Sequence, residues 1–287
     1  MKSLQIRLIV LLGVLSISTA AIMVTLSDAT PLHNAFFRML IATLLLVPFA
    51  YRSRHDFTSI SSRNLLLMMV SGIALGLHFY TWFISLEHTS IANSMVLICM
   101  SPLFTLSGGA LFFATKFTRK EVLITLLAIA GSLIMALHTG TFNMGEMYGN
   151  GMALLGSFLI AVYLLIGRYC RKSVTTTTYT FIVYAFASLS LGLIALGSDV
   201  PLFNHSYKDW FIFLLLAIIP TLLGHSLFSF SLKYVKAAFI STAVLFEPVI
   251  TIILAMFLFQ EYPDLLQVLG GTIILLALFV SVRTNAD

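Results

Sequence analysis

Long apolar segments separated by short polar ones run through almost the whole chain, and this pattern predicts its fold. A transmembrane helix needs about 20 mostly apolar residues to cross a hydrocarbon core of about 30 Å. About ten segments of that length occur, at about 5–26, 32–51, 63–86, 91–114, 121–138, 148–168, 176–197, 209–231, 237–260 and 265–283. None of the connections is long enough for a soluble domain. We therefore expect an all-α integral membrane protein with ten transmembrane helices.

Composition agrees with this prediction and narrows the classes of function. Of the 287 residues, 59% are hydrophobic and 9% are charged, whereas a soluble domain has about 25% charged residues. The net charge of +5 does not indicate a nucleic-acid partner, because the basic residues stand singly or in twos and threes between apolar segments. Cys99 and Cys170 lie far apart in the predicted topology, so neither a disulfide nor a metal site is indicated. The chain shows no Walker loop and no zinc-ligand spacing, so we expect no cofactor.

The distribution of charge between successive connections predicts the orientation in the membrane. One side has fourteen basic residues, namely Lys2, Arg7, Arg52, Arg54, Arg63, Lys116, Arg119, Lys120, Arg168, Arg171, Lys172, Lys233, Lys236 and Arg283. The other side has only Lys208 among the basic residues, and it has most acidic ones, namely Asp28, Glu87, Glu146, Asp199, Asp209, Glu261 and Asp264. By the positive-inside rule, both termini are predicted to be cytoplasmic. The apolar run that follows Lys2 and Arg7 resembles a cleavable signal peptide up to Ser18-Thr19-Ala20, but it continues to about Leu26 and more spans follow, so we interpret it as the first span.

An internal repeat divides the chain near its middle. An offset of about 146 residues places Pro102 over Pro248 and brings His78 within one residue of the position that matches His225. We therefore divide the chain into two repeats of five helices, residues 1–140 and 141–287. Because five is odd, the two repeats enter the membrane in opposite orientations, as in many secondary transporters.

These features resemble the drug/metabolite transporter superfamily, in its ten-helix EamA-like branch. The resemblance rests on the two five-helix halves, on Glu247-Pro248 in the ninth span, and on the run Leu258–Pro263 that leads to Gly270-Gly271. It implies a carrier in the bacterial inner membrane for amino acids or other small metabolites, often an exporter. The first half departs from the pattern, because Thr115-Lys116-Phe117-Thr118 replaces the acidic motif at the helix end.

Glu247 is the main candidate for the chemistry. A charge in the middle of a span costs about 2.5 to 3.5 kcal/mol even on permissive scales, so it indicates a partner or a function. The functional interpretation is a proton-coupling group or an anchor for a substrate cation. The alternative is a structural ion pair or a neutral acid bonded to a neighbouring helix. Its counterpart in the first half is Ser101, which does not ionise.

Arg38 is the only other formal charge predicted inside a span. It lies about six residues into the second span, roughly 9 Å below the outer interface at about 1.5 Å per residue. The Arg38 side chain could extend outward to the interface or bond to backbone carbonyls, or it could reach inward to pair with Glu247.

Several polar and aromatic positions are expected to wall a central cavity. His78 and Trp82 lie in the third span, together with Ser71 and Ser85 at helical spacing, and similar positions recur in other spans. Each of them could instead be a packed, hydrogen-bonded residue. The candidates for substrate binding or coupling are Glu247, His78, Arg38, Trp82, Ser101, Tyr163, Tyr184 and His225.

The remaining motifs concern helix geometry. Pro102 and Pro248 each remove a backbone hydrogen bond at membrane depth, which suggests either paired gating helices or simple bends. Gly72 and Gly76 form a GxxxG pattern, which predicts close helix packing. The fifth and tenth spans have few polar residues and would face lipid or a second copy, so a monomer and a homodimer both stay open.

The sequence thus predicts a secondary transporter that works by alternating access, moves small metabolites such as amino acids, and exports them. The first alternative is a proton-coupled or facilitated importer of another small polar or amine solute. A remote alternative is an intramembrane enzyme that modifies lipids, which would need a nucleophile, a base and oxyanion donors near one interface. A passive channel would need a continuous polar lining, and the apolar stretches beside Glu247 argue against it.

Overall fold

The structure, a computed structural model, describes residues 3–89, 91–136, 144–198, 201–259 and 265–284. Every regular element in these ranges is helical. The elements in chain order are α1 (Ser3–Ile17), α2 (Ala20–Leu26), α3 (Pro31–Arg52), α4 (Arg54–Thr58), α5 (Ser62–His88), α6 (Ile91–Ile98), α7 (Ser101–Phe113), α8 (Arg119–Ala136), α9 (Met144–Cys170), α10 (Thr176–Leu196), α11 (Tyr207–Leu216), a π-helical segment (Ala217–His225), α12 (Ser226–Ser231), α13 (Ala237–Val244), α14 (Glu247–Phe259) and α15 (Leu265–Thr284).

Seven helical segments in the described part of the chain are long and apolar enough to cross a membrane. They are Leu4–Leu26, Pro31–Arg52, Ser62–His88, Glu146–Cys170, Thr176–Leu196, Tyr207–Ser231 and Ala237–Leu258. The other three predicted spans coincide with the pair α6 and α7, with α8 and with α15, which are helical but are not among these seven. The chain is therefore an all-α membrane protein, and the number of ten spans stays a prediction.

Hydroxyl side chains cap the starts of five of the described helices. Thr30, Ser61, Thr118, Thr175 and Ser206 each accept a hydrogen bond from the backbone N–H three residues further on, at the start of α3, α5, α8, α10 and α11. This is the usual role of Ser and Thr at a helix N-cap, because the first backbone N–H groups have no partner inside the helix. The caps explain why the predicted starts of these spans lie within two residues of the observed ones.

Two predicted spans are broken near their middle, each just before a proline. The span predicted at 91–114 consists of α6 and α7, and the span predicted at 237–260 consists of α13 and α14. Pro102 and Pro248 are each the second residue of the later helix. A proline is tolerated in the first turn of a helix, where its missing N–H has no intrahelical partner to lose.

The two broken helices have the same boundaries in the two halves. Each boundary in the second half lies 146 positions after its counterpart: 91 and 237, 98 and 244, 101 and 247, 113 and 259. The predicted offset of about 146 thus applies to helix boundaries as well as to residue types. Glu247 and Ser101 are consequently the first residues of equivalent helices.

Two other predicted spans are also irregular. The span at 5–26 is divided into α1 and α2, where the hydroxyls of Ser18 and Thr19 bond to backbone carbonyls of the preceding turn. Such bonds compete with the helix ladder and bend helices. The span at 209–231 contains the π-helical segment around Pro220, whose ring nitrogen has no hydrogen to donate.

Close glycine contacts bring helices together. A Cβ atom at Gly72 would lie 2.5 Å from the carbonyl oxygen of Val183, and one at Gly76 would lie 2.9 Å from that of Ala187. Because both carbonyls belong to α10, the packing role predicted for the GxxxG pattern is confirmed. At Gly131 a Cβ would lie 2.8 Å from the Gly270 carbonyl oxygen, so α8 and α15 also pack closely.

The outer faces of α8 and α15 have exposed leucines, among them Leu123 and Leu276. These faces are suited to lipid or to a second copy, as predicted for the fifth and tenth spans. Residues 260–264, which include most of the acidic helix-end motif at Glu261, lie outside the described ranges.

Candidate functional site

A small cavity lies among the broken helices and contains six of the predicted site residues. These are Arg38, His78, Trp82, Ser101, His225 and Glu247. Its volume is about 30 Å³, and one buried water needs at least about 10 to 15 Å³ measured in this way. The cavity can therefore hold about two water molecules, which is far less than the roughly 300 Å³ of a small-molecule site.

Arg38 is fully buried, which excludes the alternative in which its side chain extends outward to the interface. Its Nε donates to Thr221 Oγ1 at 3.0 Å, and the guanidinium carbon lies 3.8 Å from the ring centroid of Phe79. These contacts fix the plane of the guanidinium group and stabilise its charge through the electron-rich ring face. The two terminal nitrogens have no hydrogen-bond partner among the described residues. Buried donors of this kind normally have a partner, so they are suited to bind an oxygen of water or of a ligand.

Glu247 is 5% exposed and begins α14, so its carboxylate lies at the positive end of a helix dipole. The carboxylate makes no hydrogen bond to another described residue. Arg38 and Glu247 line the same cavity, yet no ion pair within 4.0 Å joins them. One turn further on, Thr251 Oγ1 donates to the Ser18 carbonyl at 3.2 Å. This bond holds the start of α14 against the break between α1 and α2.

His78 and Trp82 form one wall of the cavity. His78 Nδ1 lies 2.9 Å from the Gly156 carbonyl oxygen, and because a carbonyl only accepts, Nδ1 must donate and Nε2 is the acceptor of a neutral ring. The ring stacks on Trp82, with centroids 6.0 Å apart and planes at 17°. The Trp82 indole N–H has no partner among the described residues. This wall therefore offers one free acceptor and one free donor.

The π-helical segment positions His225 and Thr221. Its wider turn lets Thr221 Oγ1 donate to the Leu216 carbonyl five residues back, at 2.8 Å, while the same oxygen accepts from Arg38. His225 contacts Phe79 edge to face at 5.1 Å, and its Nδ1 has no partner among the described residues. Segments of π-helix are rare in proteins, and those that occur are often at functional sites.

Tyr163 and Tyr184 lie behind the cavity and do not line it. The Tyr184 hydroxyl donates to the Thr221 carbonyl at 3.2 Å and contacts Ser226 Oγ at 3.0 Å. The Tyr163 hydroxyl contacts Ser229 Oγ at 2.9 Å. The two tyrosines thus hold α12 and the π-helical segment in place, which is a supporting role.

The predicted polar stripe of α5 is used mainly for helix packing. Ser71 Oγ lies 2.8 Å from the Tyr179 hydroxyl, and Ser85 Oγ bonds to Ser94 Oγ. Neither serine lines the cavity. Helical spacing identified the correct face of α5, but that face contacts α9 and α10 along most of its length and meets the cavity only at its centre.

The sequence interpretation missed the aromatic and small residues of the cavity. Phe79 and Phe228 line it, and so do Ile17 and Ala20 on either side of the break after α1. The repeat contained a signal for one of them, because Phe79 stands 146 positions before His225 and the two rings touch. The two charged positions have counterparts at the same offset: Tyr184 stands 146 positions after Arg38, and Ser101 stands 146 positions before Glu247.

Neither cysteine contributes to the cavity. Cys99 and Cys170 are both buried and free. No cluster of three or more metal-binding side chains occurs among the described residues.

The chain matches known transporters along nearly its whole length. A sequence model described as the EamA-like transporter family matches residues 5–137 and again residues 147–283. The chain is 22% identical to the uncharacterized transporter YdfC of Bacillus subtilis, over 95% of this chain and 89% of YdfC. It is 24% identical to the pseudopaline exporter CntI of Pseudomonas aeruginosa, over 96% of each chain.

A solved crystal structure has the same fold, with a TM-score of 0.79 and 17% sequence identity, over 99% of this chain and 98% of the other. Together with the apolar helices, these matches make the chain a multi-pass membrane protein of a transporter class. By the match of the family model over both halves, the chain belongs to the EamA-like transporter family.

Proposed function

We propose that this protein is a secondary transporter that moves a small zwitterionic metabolite, such as an amino acid or a related compound, across the cytoplasmic membrane by alternating access. The observation that carries the proposal is the pair Arg38 and Glu247, two opposite charges buried in one cavity without an ion pair between them. A ligand with a carboxylate and an ammonium group would satisfy both charges at once. Neither a purely cationic nor a purely anionic solute would do so.

Arg38 is suited to the carboxylate end of such a substrate. Its two free terminal nitrogens form the fork that binds a carboxylate with two parallel hydrogen bonds. Thr221 and Phe79 already fix the rest of the guanidinium group, so little rotamer freedom is lost when the substrate binds. The Glu247 carboxylate, at the start of α14, would accept hydrogen bonds from the substrate ammonium group. The free Nε2 of His78 and the indole N–H of Trp82 would bind other polar groups of the substrate.

Alternating access is supported by the architecture of the two halves. The matching breaks at Ser101 and Glu247, and the two separate matches of the family model, favour two five-helix repeats, residues 1–140 and 141–287, in inverted orientation. The excess of basic residues in one set of connections supports cytoplasmic termini. The breaks at Pro102 and Pro248 would let the two ends of each helix move separately.

The structure has contacts on one side of the cavity that would have to open. Thr105 Oγ1 of α7 lies 2.7 Å from Ser241 Oγ of α13, and Thr125 Oγ1 of α8 lies 3.1 Å from Thr242 Oγ1 of α13. In the proposed orientation this is the cytoplasmic side. With these contacts made and only about 30 Å³ free, the cavity is closed to a substrate from the cytoplasm.

Export is the proposed direction, and the name of the related pseudopaline exporter CntI supports it. A carboxylate that binds the substrate ammonium group can also bind a proton, so Glu247 would exchange a bound substrate for a proton. This exchange would couple the substrate gradient to a proton gradient. Facilitated transport and import are the alternatives that the flux experiment separates.

The test is flux into proteoliposomes. Labelled amino acids would be measured with and without a pH gradient, in competition with two analogues of the same skeleton, one without the carboxylate and one without the amine. We expect amino acids to be transported and each analogue to compete measurably but more weakly than the amino acid. Glu247→Gln and Arg38→Gln should each reduce flux at least tenfold, since each leaves one charged group of the bound substrate buried without a partner.

Asp28→Asn is the matched control, because it removes a carboxylate from an exposed ion pair with Lys208 at the protein surface. It should transport like the wild type. If both cavity variants kept wild-type flux and competition, the proposed binding mode would be wrong. Flux that follows the pH gradient in the wild type but not in Glu247→Gln would identify Glu247 as the coupling group.

A further inference from the structure

A second, larger cavity opens at the ends of the helices where the basic residues lie. Its volume is about 570 Å³, and none of its lining residues also lines the cavity at Arg38 and Glu247. It lies between α7, from Thr105 to the last turn, the connection to α8, the last two turns of α9 and the first turn of α13. A cavity of this size accommodates a small-molecule group.

Among the described residues that line this second cavity, four are basic, namely Lys116, Arg168, Lys172 and Lys236, and none is acidic. Lys236 is already paired with Glu121 at 2.7 Å, and Arg168 donates to the Leu232 carbonyl at 2.6 Å. The ammonium groups of Lys116 and Lys172 make no hydrogen bond or ion pair with any described residue. The cavity therefore has two free cations and a net positive charge, which favour an anion.

The backbone turns sharply to place Lys116 at the cavity. Ala114 has a φ of 47°, a left-handed conformation that is uncommon for residues with a side chain. The next residue closes the turn, because the Thr115 N–H donates to the Gly109 carbonyl at 2.9 Å. This turn ends α7 and directs the connection across the cavity rather than away from it.

The rim of the cavity is strongly apolar. Leu111 and Phe112 line it and are 77% and 81% exposed, at the end of a helix that belongs to a predicted span. Exposed apolar side chains at that position are suited to contact acyl chains. A ligand with an anionic head at the lysines and a hydrocarbon tail beside Leu111 would match both features.

We propose that this cavity binds the headgroup of an anionic phospholipid of the cytoplasmic leaflet, with the phosphate at Lys116 and Lys172. Basic pockets between transmembrane helices on the cytoplasmic side bind anionic headgroups in this way. A soluble phosphate would share the chemistry at the lysines, but it would make no use of Leu111 and Phe112. The proposal does not depend on the transported substrate.

The test uses the purified full-length protein in a mild neutral detergent, where binding does not depend on orientation in a membrane. Native mass spectrometry would measure binding of short-chain phosphatidylglycerol, of phosphatidylcholine with the same chains, and of glycerol 1-phosphate. We expect phosphatidylglycerol to bind preferentially. Because a basic group near the surface contributes roughly fivefold in affinity, Lys116→Gln combined with Lys172→Gln should weaken this binding about 30-fold.

The matched control is Lys120→Gln combined with Lys233→Gln, which removes the same charge from the same face but outside the cavity. This control should bind phosphatidylglycerol like the wild type, and Lys116→Arg combined with Lys172→Arg should keep most of the affinity. An equal loss of affinity for phosphatidylglycerol in the two double Gln variants, or no loss in either of them, would overturn the proposal and leave the lysines as orientation signals. Equal affinity for glycerol 1-phosphate and phosphatidylglycerol would overturn the lipid as the source of the anion.

Discussion

The contact between α5 and α10 gives the most quantitative prediction about the fold. At Gly72 a Cβ would lie 2.5 Å from the Val183 carbonyl oxygen and 2.7 Å from Phe186 Cβ, and neither atom can rotate away because both are fixed by the α10 backbone. At Gly151, on α9, a Cβ would have no other atom within 4 Å. The same substitution at the two positions should therefore have opposite effects.

Gly72→Leu forces α5 and α10 apart, and overpacking of this kind costs about 3 kcal/mol of unfolding free energy, at the upper end of its usual range. Gly151→Leu meets no obstacle and should stabilise its helix by about 0.5 to 1 kcal/mol, because glycine is a poor helix former. The expected difference between the two variants is about 4 kcal/mol.

The assay is unfolding by titration with sodium dodecyl sulfate in mild detergent, followed by circular dichroism. Gly72→Leu should also reduce flux, because α5 holds His78 and Trp82 at the cavity, whereas Gly151→Leu should transport normally. Equal unfolding free energies for the two variants would refute the close contact between α5 and α10.

Three further predictions concern the supports of the cavity and the orientation of the chain. Tyr184→Phe removes hydroxyl bonds to the π-helical segment, so it should lower the unfolding free energy by about 1 kcal/mol, which the same detergent titration would detect. Phe79→Leu removes the ring 3.8 Å from the Arg38 guanidinium, and since such a contact contributes up to about 2 kcal/mol when desolvated, the KM for the substrate should rise about tenfold in the flux assay. Cysteine introduced at Lys208 should react with an impermeant thiol reagent from outside the cell and cysteine at Lys120 only after lysis, since both native cysteines are buried; the reverse pattern would invert the proposed orientation.

The positions of the helices follow closely from the sequence. Apolar segments of spanning length, flanked by residues such as Thr30 and Ser61 that cap helices, define elements that end within a few residues of the observed ones. This works because a helix in a membrane must satisfy its own backbone hydrogen bonds, so hydropathy alone fixes most of its extent. The family resemblance was also confirmed, because it rests on features spread along the entire chain.

The irregularities inside the helices follow less well. Pro102 and Pro248 predict a defect, but a bend and a complete break are equally consistent with a proline in the sequence. The π-helical segment contains Pro220, which is a local signal for a defect but does not specify π-helical turns. Thr221 in this segment also bonds to Arg38 and Tyr184, which belong to helices distant in sequence, and these tertiary bonds have no local signal.

The sequence grouped most of the residues that the structure brings to one cavity, and their role in binding or coupling stays a prediction. Six predicted residues line the cavity, whereas Tyr163 and Tyr184 lie behind it. Whether a side chain lines the cavity depends on the rotation of each helix about its axis, and a rotation of one residue, about 100°, changes the answer. The relation between Phe79 and His225 shows that the repeat offset, applied residue by residue, would have improved the prediction.

The asymmetry of charge is the feature that most constrains the function. The two halves have matching breaks, yet Arg38 and Glu247 are matched in the other half by Tyr184 and Ser101. The breaks are thus repeated while the charges are not. A substrate bound between them would be held by one charge from each half.

The most direct test of this account is a crossed comparison of analogues in the flux assay. Competition by the amine analogue, which lacks the carboxylate, would be measured beside competition by the acid analogue, which lacks the amine, for the wild type, Arg38→Gln and Glu247→Gln. The account predicts that Glu247→Gln weakens competition by the amine and spares the acid, and that Arg38→Gln does the reverse. If each variant weakened competition by both analogues equally, or weakened competition by neither analogue, the account would be contradicted. The substrate carboxylate would then not be assigned to Arg38, nor its ammonium group to Glu247.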